Sequence, residues 1–233
     1  MHELDRIRAE YARRAQDPQL ESRYSMFRPD VQFSVQTCER VALGLLAGAG
    51  LEPLSKLDVL EVGCGEGRVL LDLLRWGAAP ARLSGCDLIP ARLGAAVRLL
   101  PAAARLAVAD GGALPYPTAC FDLVLQFTML TSVLDDSLRQ RITAEMWRVL
   151  RPGGAILSYD FRFRRPDNPA VRAIHPRELR ALLPQGTFQA RRVTLAPPIT
   201  RRLACRSRLG CELLALLPWL RTHDLILIRK TEV

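Results

Sequence analysis

The sequence predicts an α/β fold: a doubly wound, seven-stranded, mostly parallel sheet covered by helices on both faces. Three features predict it. An apolar run, Val59-Leu60-Glu61-Val62, leads straight into a turn with glycine at every second position, Gly63-Cys64-Gly65-Glu66-Gly67, and then into a helical pattern. Further short apolar runs recur down the chain, separated by stretches with apolar residues at three- and four-residue spacing. Two of these runs lead into an acid, at Asp87 and Asp110. Strands that alternate with helices are joined by crossovers, so they pair in parallel and bury both faces of the sheet.

Residues 1–54 precede the first strand and read as a helical N-terminal lid. Leu4, Ile7 and Tyr11 share one face, Pro18 breaks the pattern, and residues 35–46 form a second apolar helix. Residues 55–233 read as the sheet domain. Its first strand ends at Glu61 and Val62, and the alternate glycines let the backbone turn tightly. Val69, Leu70, Leu73 and Leu74 make the apolar face of the next helix, which Gly77 stops. A second strand covers 82–87; Pro90 takes the first turn of a helix over 91–100, and Pro101 ends it. The third strand, 106–109, gives way to Asp110-Gly111-Gly112, and Leu114-Pro115-Tyr116-Pro117 leads into a fourth at 121–126. Asp135 or Asp136 caps a helix whose Leu138, Ile142, Met146 and Val149 lie on one face. Leu150-Arg151-Pro152-Gly153-Gly154 closes it before a buried strand at 155–159. The last two strands are 188–195 and 224–228, with a helical insertion, 196–222, between them.

A chain of 233 residues, 49% of them hydrophobic, can bury a sizeable core without a second domain. A net charge of +9 and a pI near 9.9 raise nucleic acid as a partner. The charge is almost wholly arginine, Lys56 and Lys230 being the only lysines, and no basic run is interleaved with aromatics. A solvated arginine-rich surface accounts for it, so no specific nucleic acid is expected. Cys38, Cys64, Cys86, Cys120, Cys205 and Cys211 form no Cys-x-x-Cys and no Cys/His ligand spacing, which points to no metal. With no signal peptide read at the start, a reducing cytoplasm is the expected compartment. No apolar run approaches the roughly 20 residues needed to span a bilayer.

Taken alone, a glycine-rich turn after a strand fits NAD, FAD, S-adenosylmethionine or tight packing. The spacing here, acid-x-Gly-x-Gly-x-Gly and not Gly-x-Gly-x-x-Gly, argues against NAD. Asp87 stands about 25 residues on, at the offset where such folds bond ribose hydroxyls. The succession of the Glu61 to Gly67 turn, Asp87, the Asp110 to Asp122 stretch and the Leu150 to Gly154 turn resembles the class I S-adenosylmethionine-dependent methyltransferases. It is most similar to the small-molecule, type 11 branch that includes the ubiquinone and menaquinone C-methyltransferases, over about residues 57–159. The resemblance implies a Rossmann-like sheet with an antiparallel last strand, S-adenosyl-L-methionine as cofactor, S-adenosyl-L-homocysteine as product, and no metal. It further implies that Glu61 meets the methionine amino group, directly or through water, and that Gly63, Gly65 and Gly67 set bare backbone against the methionine portion. Asp87 would accept both ribose hydroxyls, Leu88 would lie on the adenine face, and Asp110, followed by Gly111, would meet the adenine amino group. A turn cap is the other reading of Asp110. Gln126 and Phe127 would face the methionine portion and the methyl donor, while Asp122 shapes the start of its strand.

Methyl transfer asks mainly for alignment and a water-poor pocket. A hydroxyl acceptor also needs something to take its proton, for which Asp160, His175 and Tyr24 are the candidates near the expected pocket mouth. His175, just before Pro176, reads equally as a helix cap. Where many members carry histidine after the fourth strand, this chain has Thr131 and Ser132. The Asn/Asp-Pro-Pro-Tyr motif of amino-adenine enzymes is missing, Gln126-Phe127-Thr128-Met129 standing in its place. Lys56 and Lys230 cannot build the lysine-containing tetrad of ribose 2′-O-methyltransferases, and neither a Pro-Cys nucleophile nor a matched cysteine trio for arsenic is present. A small-molecule or lipid- or glycan-linked acceptor remains, with oxygen favoured over nitrogen and carbon. An RNA or protein methyltransferase, and a non-catalytic cofactor-binding subunit, are the other readings. The 196–222 insertion departs from most members, in which a short connection joins the last two strands. Its arginines, Arg201, Arg202, Arg206 and Arg208, precede an apolar helix ending in Trp219. Such a segment suits peripheral membrane contact through 201–220, packing on the sheet edge, or a homodimer partner.

Overall fold

The computed structural model describes residues 2–163 and 168–231. Its strands are β1 (Val59–Val62), β2 (Leu83–Asp87), β3 (Arg105–Val108), β4 (Phe121–Phe127), β5 (Leu150–Phe161), β6 (Thr187–Leu195) and β7 (Arg221–Arg229). They form one seven-stranded sheet in the order β3-β2-β1-β4-β5-β7-β6. The first five pair in parallel, and β7 runs antiparallel to both β5 and β6. Around the sheet lie α1 (Glu3–Ala15), α2 (Leu20–Arg23), α3 (Pro29–Gly48), α4 (Arg68–Arg75), α5 (Pro90–Leu99), α6 (Asp136–Val149), α7 (Pro176–Leu182), α8 (Pro197–Leu203) and α9 (Arg208–Ala215).

Alternation along the strands divides the core in two. One face carries Val59, Leu123, Leu125, Leu157 and Leu227 against α3, α4 and α5. The other carries Leu60, Val124, Ile156 and Ile226 against α6 and α7, with Ile7 of α1 at its margin. Local signals in the sequence act as expected. Asp135 caps α6, its carboxylate accepting the Leu138 N–H at 2.6 Å. Gly77, at φ 98°, turns the chain after α4, and Pro90 opens α5. Boundaries differ by a residue or two at several strand ends, β7 starts three residues early at Arg221, and two starts differ more widely. α3 already begins at Pro29, because that proline occupies the first helical turn and Phe33 adds a buried position. β5 already begins at Leu150: Leu150 pairs with Phe121 and Ala155 with Leu123, so the Arg151 to Gly154 stretch bulges between two paired segments. Among the described residues no helix is long and apolar enough to cross a membrane.

Gly154 is the tightest point of that bulge. A Cβ there would stand 2.7 Å from the Asp122 carbonyl oxygen and 2.8 Å from Leu150 Cδ1, whereas one on Gly44, inside α3, meets nothing within 4 Å. Gly154→Ala is expected to lower the free energy of urea unfolding by about 1–3 kcal/mol. Gly44→Ala should raise it by about 0.5–1 kcal/mol. Shifts of the same sign at both positions would contradict this packing.

Candidate cofactor site

Parallel pairing sets the carboxyl ends of β1, β2 and β4 side by side, and a cleft opens where they end. Gly63, Gly65 and Gly67 follow β1 with φ of 76°, 54° and 80°, a left-handed run that side chains with a Cβ resist. The turn is tied to β2. Gly63 and Cys64 donate their N–H groups to the Cys86 carbonyl at 2.8 and 2.9 Å, and Gly65 donates to Asp87 Oδ2 at 2.8 Å. The other Asp87 oxygen accepts the Ile89 N–H, also at 2.8 Å. Each of these oxygens keeps a further lone pair for another donor.

Glu61 lies behind the turn, buried in β1, and its Oε2 has no hydrogen-bond partner. Burial, reinforced by the Asp87 carboxylate, pushes its carboxyl up to about 8; Arg92 pulls the other way. Asp160 Oδ1, Asp224 Oδ2 and Arg172 Nε are likewise unsatisfied among the described residues, but the Glu61 oxygen stands just before the glycine turn, where it fits a site that receives a donor from a ligand. The glycines form the other half of the cradle. A Cβ on Gly65 would run into the Arg92 guanidinium, and one on Gly63 into the Met129 side chain, both movable groups. A Cβ on Gly67 would meet Leu100 and Ala96 instead, so this glycine serves the packing of the turn on α5.

Leu88, Asp110, Gly111 and Phe127 border the same cleft. Asp110 closes a turn as well, its Oδ1 accepting the Gly112 N–H at 2.8 Å. Phe127 stacks on Tyr159, ring centroids 5.4 Å apart. Gln126 does not face the cleft. Successive side chains of a strand point to opposite faces, so Phe127 and Gln126 diverge. The Gln126 amide is fully buried: Oε1 accepts the Met129 and Leu130 N–H groups at 3.1 and 3.2 Å, and Nε2 donates to Ser158 Oγ at 2.6 Å and to Asp160.

The three proton-acceptor candidates need correction too, since none borders the cleft. Asp160 belongs to the buried Gln126–Ser158 cluster, where burial raises its carboxyl to about 7 against the hydrogen bonds from Gln126 and Ser158. His175 is exposed and caps α7, its Nδ1 accepting the Arg177 N–H at 3.3 Å. Tyr24 follows α2 and is 60% exposed. Other residues take places in the cleft. α1 lies over it, with Leu4, Ile7 and Tyr11 among its walls. The Tyr11 hydroxyl is 3.2 Å from Ser132 Oγ, and the Arg92 guanidinium sits 4.8 Å from the Tyr11 ring centroid and 3.8 Å from Asp87. The spacing of Leu4, Ile7 and Tyr11 is visible in the sequence; nothing there distinguishes Arg92 from the other arginines. Among the described residues no cluster of His, Cys, Asp or Glu is arranged to hold a metal ion.

Sheet order, glycine turn and acid-bearing strand ends define an α/β domain built to hold a nucleoside cofactor. Residues 59–154, from β1 into β5, match the family described as a methyltransferase domain. The chain is 28% identical over 120 residues to the sterol 4-C-methyltransferase strm-1 of Caenorhabditis elegans, covering 47% of this chain and 33% of that protein. It thus spans about a third of the length of this curated relative. The fold is similar to that of the 1,6-didemethyltoxoflavin-N1-methyltransferase of Burkholderia thailandensis, solved with 1,6-didemethyltoxoflavin and S-adenosylhomocysteine bound. The TM-score is 0.62 at 20% identity, with 97% of this chain and 91% of that one covered. The [4+2]-cyclase SpnF is similar as well, with a TM-score of 0.62 at 19% identity over 84% of this chain and 82% of that one. Residues 59–154 thus match a methyltransferase domain, and the fold as a whole is that of solved S-adenosylmethionine-dependent methyltransferases.

Glu61 gives the site a pH signature. A carboxyl whose folded pKa stands above its unfolded value contributes its full stability below the unfolded pKa and loses it as pH rises through the folded one. For Glu61 that window runs from its ordinary 4.5 up to about 8. In thermal unfolding of the cofactor-free protein, Glu61→Gln is expected to gain stability relative to the native chain as pH rises through this window. Parallel pH profiles for the two proteins would show that Glu61 is not a buried, raised carboxyl.

Proposed function

We propose that this chain moves a methyl group from S-adenosylmethionine to an oxygen of a small-molecule or lipid- or glycan-linked acceptor. The observation that carries the reading is the convergence of Asp87 and Asp110, from the ends of β2 and β3, on the cleft beneath α1, with the unsatisfied Glu61 buried in β1 beside Asp87 and not itself bordering the cleft. When bound, the cofactor supplies a sulfonium-activated methyl group. Asp87 offers its remaining lone pairs to the ribose hydroxyls while keeping the Gly65 and Ile89 N–H groups. Glu61 Oε2 takes a hydrogen bond from the methionine ammonium, whose positive charge draws the raised carboxyl toward its ionised form. Gly63 and Gly65 provide bare backbone once Arg92 and Met129 swing aside. Leu88 and Asp110 hold the adenine, and Phe127 walls the side of the methyl group.

With none of the three proton-acceptor candidates on the cleft, the acceptor oxygen reacts as an already ionised group such as a phenolate or enolate, S-adenosylhomocysteine leaves, and the contribution of the chain is alignment and exclusion of water, the second supplied by α1 as a lid. A relative named for a sterol and a fold neighbour named for 1,6-didemethyltoxoflavin favour a lipid or small-molecule acceptor over RNA or protein.

Purified protein incubated with methyl-labelled S-adenosylmethionine and fractionated cell extract is expected to label the small-molecule or lipid fraction. Label in RNA or protein would overturn the acceptor class. Asp87→Ala removes two charge-assisted hydrogen bonds to the ribose and should weaken cofactor binding by roughly 100-fold, read by calorimetry, with the circular dichroism spectrum retained. An unchanged Kd would remove Asp87 from the site.

A further inference from the structure

The insertion between β6 and β7 emerges at the edge of the sheet where the cleft opens. β5 and β6 are both antiparallel to β7, so β6 runs in the direction of β5 and its carboxyl end, Leu195, lies at the same edge as Val62, Asp87 and Phe127. One side of the insertion is anchored. Cys211, Leu214 and Ala215 of α9 and Leu203 of α8 pack with Phe33 of α3 and Leu195 of β6. The opposite side of α9 is bare, with Leu209, Leu213 and Leu216 at helical spacing and Trp219 just beyond, each more than half exposed.

Two leucines on one face of α9, a third at its C-cap and a tryptophan in the turn just after it, all more than half exposed, exceed the scattered apolar exposure of an ordinary surface. Their charged neighbours indicate what covers them. Arg201, Arg202 and Arg206 are exposed and, among the described residues, form no ion pair; Arg208 pairs with Glu212 at 3.8 Å, the one acid in the segment. Unneutralised guanidinium groups beside an apolar ridge ending in tryptophan match an anionic membrane surface, where the ridge enters the acyl boundary and the arginines meet headgroup phosphates. An RNA backbone would satisfy the arginines alone and leave the leucines in water. A second copy of this chain would bring arginine against arginine.

We propose that the α8–α9 insertion docks the protein on an anionic lipid bilayer, turning the mouth of the cleft toward the membrane. This inference stands on the patch alone and does not depend on which atom is methylated. The full chain is to be sedimented with vesicles of phosphatidylcholine, with and without phosphatidylglycerol, at low and high salt. Binding is expected only to the anionic vesicles and should weaken with salt. Replacing Arg201, Arg202 and Arg206 together by alanine should weaken it roughly 100-fold, and Leu213→Asp with Trp219→Ala should abolish it. All these positions are exposed, and calorimetric binding of S-adenosylhomocysteine to each variant separates loss of docking from loss of the cofactor site. Equal binding to both vesicles, or to neither, overturns the proposal. So does binding to RNA that survives Leu213→Asp, or a concentration-dependent dimer that Leu213→Asp dissolves.

Discussion

The site depends on the Asp87 carboxylate and the two N–H groups it holds. One oxygen fixes Gly65 in the glycine turn, the other fixes Ile89 at the start of α5. Side chain and backbone are nearly dry there, Asp87 being 6% exposed, so leaving either donor unsatisfied would cost about 1–3 kcal/mol. The consequences run outward. With α5 held at that angle, Arg92 in its first turn reaches back over Gly65 and lies against Tyr11, so the sheet edge, the turn and the helix over the cleft are linked through one arginine. A ligand entering the turn must displace that arginine, which couples cofactor entry to the position of α1.

Two raised carboxyls divide the work of the remaining structure. Glu61 is unsatisfied and sits behind the glycine turn, where a cationic group is welcome. Asp160 sits two strands away, on β5, and holds Gln126, whose carbonyl oxygen in turn holds the Met129 and Leu130 N–H groups. That network fixes a strained loop, since Thr128 adopts φ 56°, a conformation uncommon for a branched side chain. Because the Met129 side chain lies in front of Gly63, the Asp160 cluster acts on the cleft through loop position and not through contact with the reacting atoms.

The parts of the fold that were legible in the sequence are those that rest on burial and local turn chemistry. β1 and β2 are buried at every position, so their apolar runs stand out, and Asp135, Gly77 and Pro90 carry their cap and turn signals in their own chemistry. That Glu61 lies in β1 just before the glycine turn and Asp87 at the end of β2 was legible because apolar runs mark both strands. Gln126 was not, because the placement of adjacent residues at the end of β4 turns on a single step of strand alternation. The placement of Asp160, His175 and Tyr24 depended on long-range packing of β5, α7 and the α2–α3 connection, which no local pattern encodes. The insertion was visible as an apolar helix, but which face it buries is decided by Phe33 and Leu195, distant in sequence.

A crystal structure with S-adenosylhomocysteine would show directly how the cleft is used. Ribose hydroxyls are expected on Asp87, the amino group of the ligand on Glu61, and Arg92 and Met129 moved off Gly65 and Gly63. A ligand bound elsewhere, with Arg92 still lying over Gly65, would contradict this placement.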